Sequence, residues 1–409
     1  MDLILRNALI DDGACVDIGI DAGKVVAIAA ALQADGPQVD LQRRLLLPGF
    51  VETHLHLDKS CILQRCHIEK GTLQEAVSEV SRLKRDFTVD DVFERASRTL
   101  EKAILQGTTH VRTHVEVDPA IGLRGFDGIK RVAEHYRWAV DVEICVFPQE
   151  GLTNYPGTEE LMREALGQGA SVVGAAPYTD SDPHAQIDRV FRMARDFDVD
   201  IDMHLDLGDS IEGMDADYVC EMTERHRYGG RVTIGHVTKM SLLPPERFAA
   251  LAKRLADAGV AVTVLPSTDL FLMGRGQTHG VIRGVLPAHH LLDHGVNCSL
   301  STNNVMNPFT PFGDCSLLRM ANLYANVCHV GTTDGMRACL DMVSSRSARL
   351  LRLEHYGIEV GKSADLVVLD CTTPEQGLAE LAAPLFGFKN GRRTFTRAPA
   401  ELHRPQTAA

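Results

Sequence analysis

A rhythm in the sequence constrains this chain more than any single motif. Strand-like apolar runs stand at 49–54, 110–115, 142–147, 171–174, 201–204, 232–236, 261–265 and 296–300. After one long gap they recur about every thirty residues, and helical patterns such as 158–166 and 245–258 follow them. Eight β/α units in roughly 250 residues is the arithmetic of a closed parallel barrel. An open, doubly wound sheet is the competitor, but no Gly-x-Gly-x-x-Gly turn follows the first strand. The predicted fold class is therefore α/β, a (β/α)8 barrel of TIM type.

The two ends of the chain read differently. Residues 3–29 are short apolar runs broken by Asp11-Asp12-Gly13 and Asp21-Ala22-Gly23, which is hairpin punctuation, and Gly361-Lys362-Ser363 precedes a strand-like run at 364–369. We expect one small β-sandwich built from 1–48 and 358–409, flanking a barrel at 49–357, with the tail Arg404 to Ala409 loose. A length of 409 residues, 44% of them hydrophobic, suits one large barrel plus a smaller unit.

Charge and cysteine usage narrow the partners. The net charge of -13, from 55 acidic against 42 basic residues, would repel nucleic acid and anionic membranes. The first residues lack a basic stretch followed by an apolar one, and no run of about 18 apolar residues is present. The 10 cysteines fall irregularly, with no Cys-x-x-Cys pair, and read as reduced thiols. These features lead us to expect a cytoplasmic protein without nucleic-acid or membrane partners.

In a parallel barrel the site is built where strands end, so polar residues closing apolar strands matter most. His54-Leu55-His56 closes the first. Residues two apart on a strand point the same way, so both imidazoles face one interior point. A lone His-x-His is as compatible with a structural role as with a ligand pair. Here His204 ends the fifth strand and His236 the sixth, which favours convergence on a metal such as zinc, iron or manganese. His114 ends the second strand, with Arg112, Glu116 and Asp118 on the same face by parity. We read this row as lying behind the ligands, where carboxylates orient imidazoles.

The segments Val51-Glu52-Thr53-His54-Leu55-His56-Leu57-Asp58, His110-Val111-Arg112-Thr113-His114-Val115-Glu116-Val117, Val146-Phe147-Pro148-Gln149-Glu150-Gly151 and Gly235-His236-Val237-Thr238-Lys239-Met240 carry a resemblance. The sequence resembles the amidohydrolase superfamily, in the branch of cytosine deaminase and N-isopropylammelide isopropylaminohydrolase. The resemblance implies one divalent metal, zinc by preference with iron or manganese as alternatives, held by His54, His56 and His204. It also implies that His236 bonds the attacking water or the substrate and that Gln149 pairs with the cyclic amide edge of a pyrimidine-like ring. Such pairing suits an amide, which offers a donor and an acceptor side by side. Phe147, Phe309 and Asn304 are the expected walls of the substrate site. Homo-oligomers are common in this branch, although no interface is visible in the sequence.

Two positions depart from that pattern. Leu207 stands where branch deaminases carry a proton-shuttling glutamate, and Asn303 stands where an aspartate touches the metal and accepts a proton. Asparagine offers a carbonyl oxygen to a metal but is no base near neutral pH. Asp206, two residues past His204, is the expected replacement shuttle, and Asp58 bears the same relation to His56. The leading expectation is metal-dependent hydrolysis of a C–N bond on a small cyclic amidine, pyrimidine- or triazine-like substrate. The alternatives are ring-opening hydrolysis of a cyclic amide or ureide, and a barrel that binds a heterocycle after losing catalysis.

Overall fold

The computed structural model describes residues 1–11 and 13–403. Asp12 of the first hairpin turn and the tail Arg404 to Ala409, expected to be loose, lie outside the described residues. The chain opens with β1 (Leu3–Leu9), β2 (Cys15–Asp21), β3 (Lys24–Ala29), β4 (Gln38–Asp40) and β5 (Leu45–Pro48). The turn between β2 and β3 places Ala22 at φ 47° and Gly23 at φ 78°, the doubly left-handed geometry that two-residue hairpins require.

Gly49 then joins β5 to the first barrel strand. A Cβ at this glycine would fall 2.2 Å from Thr109 Cγ2, so the close approach of β5 to the barrel requires its absence. The barrel strands are β6 (Phe50–Leu55), β7 (Thr108–Glu116), β8 (Asp141–Phe147), β9 (Val172–Ala175), β10 (Asp200–Leu205), β11 (Val232–His236), β12 (Val260–Val264) and β13 (Cys298–Leu300). All are parallel and pair in sequence order. Every residue of β6, β10 and β11 is buried, as strands covered on both faces must be.

The last strand is too short to close the ring alone. Residues just beyond it complete the closure: Asn303 N–H donates to the His54 carbonyl at 2.9 Å, and His56 N–H donates to the Asn303 carbonyl at 2.8 Å. The long gap before β7 holds helices at Leu73–Leu83 and Val89–Leu105, whose starts are capped by Thr72 and Thr88.

The chain finishes with β14 (Leu366–Leu369), β15 (Pro384–Lys389) and β16 (Arg392–Thr396). β14 pairs with β5, so both ends of the chain share one sheet, ordered β16-β15-β14-β5-β1-β2-β3 with β4 beside β1. That sheet keeps a core of its own, from Leu5, Ile18 and Leu46 to Leu366, Val368 and Phe388. No helix among the described residues is long and apolar enough to cross a membrane.

Candidate metal centre and active site

Strand ends deliver the histidines to one place. His54 Nε2 lies 3.1 Å and His56 Nε2 3.0 Å from His204 Nε2. Two ligands about 2.0–2.1 Å from a tetrahedral zinc ion stand roughly 3.3 Å apart, close to these separations. A second grouping of ring nitrogens, His54, His114 and His204, fits within 4.8 Å. The first grouping brings two Nε2 atoms within 3.1 Å of the third and reaches the cavity, whose lining includes His56, His204 and Asn303 but neither His54 nor His114.

These rings are electrically prepared for a cation. Burial, then the neighbouring His114, pushes the His54 ring down to about 3, against the pull of Asp202. Burial, then Lys59, lowers His56, and burial, then His54 and His114, lowers His204. Neutral imidazoles expose lone pairs. The Nδ1 atoms of all three and the Asn303 Oδ1 are buried without hydrogen-bond partners. The converging Nε2 lone pairs and the unpartnered Asn303 Oδ1 are acceptors that a divalent ion would satisfy, so the donor set fits a metal.

The other expected site residues fall into two groups. Gln149, Asn304, Phe309 and His236 line the cavity beside the rings. Leu207 and Leu272 also line it, with Tyr178 and Thr268. Phe147, expected as a wall, instead stacks on the His204 ring at 4.7 Å and 21° between planes, fixing that imidazole from behind. Asp58 accepts from the backbone N–H of Lys59 and of Glu116, tying the segment after β6 to the end of β7. His114 stacks on His54 at 3.7 Å, with its Nε2 3.4 Å from Asp202.

Asp206 does not occupy the inward position expected of it. β10 ends at Leu205, and Asp206 turns to φ 49°, which breaks the two-residue alternation. Its carboxylate accepts from Asp215 N–H at 2.8 Å and Ala216 N–H at 3.2 Å, holding the start of the following helix, and Leu207 takes the cavity position. His236 at φ 70° and Asn303 at φ 63° leave their strands through the same left-handed region, where non-glycine residues are rare and cluster at functional sites.

Three supporting residues escaped the sequence reading. Asp202 lies 3.6 Å from His54 Nδ1 and 3.4 Å from His114 Nε2, and Arg112 donates to it at 3.0 Å. Burial opposes its ionisation, yet His114, His54 and Arg112 hold its carboxyl well below the usual range. Its place two residues before His204 put it on the same face, a legible signal. Asp269 meets His236 Nδ1 at 2.5 Å and accepts from Leu265 N–H with its other oxygen. Lys59, only 2% exposed, reaches the cavity between Glu116 and Gln149. Neither of these last two is signalled by strand parity.

A parallel barrel with clustered imidazoles at the mouth of its strands defines a metal-dependent hydrolase class. The chain belongs to the amidohydrolase family, whose model matches residues 45–395, and is a hydrolase of C–N bonds; that family generally uses a divalent metal. N-isopropylammelide isopropyl amidohydrolase of Pseudomonas sp. (strain ADP) is 28% identical over 403 residues, 96% of each chain. The 5-methylcytosine deaminase of Klebsiella pneumoniae, solved with 5-fluorocytosine, superposes with a TM-score of 0.94 at 28% identity, over 98% of this chain and 99% of that one. The N-isopropylammelide isopropylaminohydrolase of Burkholderia multivorans gives a TM-score of 0.86 at 26% identity, over 96% and 98%.

Proposed function

We propose that this protein hydrolyses an exocyclic C–N bond of a small oxo- or amino-substituted nitrogen heterocycle, releasing ammonia or an alkylamine, with His54, His56 and His204 as metal ligands. The observation that carries the reading is the approach of His54 and His56 Nε2 to His204 Nε2 beside a cavity lined by Gln149, Asn304 and Phe309. A divalent ion bound there would supply Lewis-acid activation of water, and the carbonyl oxygen of Asn303 would complete its ligands.

The residues of the chain supply the rest. Asp269 accepts the Nδ1–H of His236, which leaves Nε2 as the lone pair available to take a proton from the attacking water. With Leu207 apolar and Asp206 engaged by backbone, His236 also returns that proton to the departing nitrogen. Gln149 and Asn304 hold the ring, and Phe309 packs against it.

The test is elemental analysis of the purified protein followed by a panel of aminopyrimidines and alkylaminotriazines assayed for ammonia or amine. Stoichiometric metal with amine release is expected. A new carboxylate without amine would mean ring opening instead, and a metal-free protein that binds rings without turnover would overturn the proposal.

A further inference from the structure

Gln149 and Asn304 face the cavity in orientations imposed by their neighbours. Lys59 Nζ donates to Gln149 Oε1 at 3.1 Å and to Glu116 Oε1 at 2.6 Å. An ammonium only donates, so the reverse orientation of the Gln149 amide would set donor against donor. Lys59 is itself anchored: Lys84 binds the other oxygen of Glu116 at 3.1 Å, and the Lys59 ammonium lies 4.6 Å over the Phe309 ring.

Asn304 is fixed by an independent chain of bonds. The backbone N–H groups of Phe309 and Thr310 donate to Asn307 Oδ1 at 3.0 and 3.2 Å, so Asn307 must present its Nδ2 to Asn304, whose Oδ1 accepts at 2.6 Å. The oxygen of each cavity amide therefore already accepts a hydrogen bond, and that bond fixes which way the amide is turned. What remains toward the cavity is NH2 on each, beside an ammonium. Gln149 Nε2 is buried with no hydrogen-bond partner, an unsatisfied donor that a ring acceptor would relieve.

We infer that Lys59, Gln149 and Asn304 form a donor wall, two oriented amide NH2 groups and an ammonium, that selects rings presenting adjacent acceptors, a carbonyl oxygen beside an unprotonated or ionised ring nitrogen. Rings that present N–H next to the carbonyl are disfavoured, because that N–H would meet a donor. The inference rests on the proposed reading of the cavity as a heterocycle site, and it replaces the expectation that Gln149 pairs through a donor and an acceptor together.

Calorimetry on the metal-loaded protein at about pH 8 tests it with two rings of nearly equal shape: 6-azauracil, whose ring N–H is ionised there, and uracil, which is neutral. We expect 6-azauracil to bind about ten-fold tighter or more, as charge-assisted hydrogen bonds imply. The near-isosteric Gln149→Glu, which leaves an acceptor for Lys59 and turns the free donor into an acceptor, should abolish or reverse that preference with little change in melting temperature. Equal binding of the two rings overturns the donor wall while leaving the heterocycle site standing. A preference that survives in Gln149→Glu also overturns it, because the anion would then be held by the metal. Failure of both rings to bind the metal-loaded protein would remove the underlying functional reading as well.

Discussion

The two ends of the barrel each gather a histidine with carboxylates, and they resolve the same problem in opposite ways. At the lower end His110, Asp141 and Asp365 have ligand atoms close enough to hold an ion. Lys389 fills that position: its ammonium meets Asp141 at 2.6 Å, Asp365 at 2.8 Å and His110 Nε2 at 3.3 Å. At the mouth the Nε2 atoms of His54 and His56 approach that of His204 at 3.1 and 3.0 Å, and the Asn303 Oδ1 beside them is buried without a partner. Clustered histidines and acids alone therefore do not mark a metal site; converging lone pairs of neutral rings do.

The contrast can be broken most sharply at His204. His204→Ala should abolish stoichiometric metal, read by elemental analysis, and lower turnover by about 10^3-fold or more, since both neighbouring rings lose their common partner. Retained metal would refute the ligand assignment. At the other end, Lys389→Met should leave metal content unchanged while lowering stability by about 3–5 kcal/mol in denaturant unfolding, because Asp365 would stay buried without its counter-charge.

Acid titration sharpens the same comparison. Burial, then Lys389, pushes His110 down to about 4 from the ordinary 6.5. The unfolded chain thus takes up a proton at a pH where the folded one does not. The stability His110 contributes is present above about pH 6.5 and lost as pH falls through about 4. His110→Gln should flatten this part of the stability profile by on the order of 3 kcal/mol, measured by unfolding at a series of pH values. An unchanged profile would show that the lower network does not carry that acid sensitivity.

Asn303→Asp restores an anionic group beside the ligand rings and should tighten metal binding about 10–100-fold in chelator competition. No change would mean that residue 303 does not contact the ion. The smallest effect on turnover is expected for Asp206→Asn: activity within about two-fold, with stability lower by about 1–3 kcal/mol, since the amide nitrogen would face one of the two backbone N–H groups that the carboxylate accepts from. A large loss of turnover with unchanged stability would return Asp206 to the chemistry.

Much of this was legible in the chain. Strand periodicity placed the barrel and the pairing of its two ends, and the two-residue alternation of β-structure brought His54 and His56 to one side. The same alternation failed at Asp206, where it was extended one residue past the end of a strand, and it was not applied backward from His204 to Asp202. Phe147 was recognised as near the site, but only packing revealed that it supports His204.

What the sequence by itself determined was which residues stand at strand ends, because a period of two residues and apolar burial are local properties of the chain. The partners of those residues were decided by tertiary structure alone: Asp269 on His236, Lys59 on Gln149 and Lys389 in the lower cluster. These are through-space contacts between loops of different β/α units, and hydrogen-bond direction, tautomer and charge compensation depend on what lies a few ångströms away rather than a few residues along.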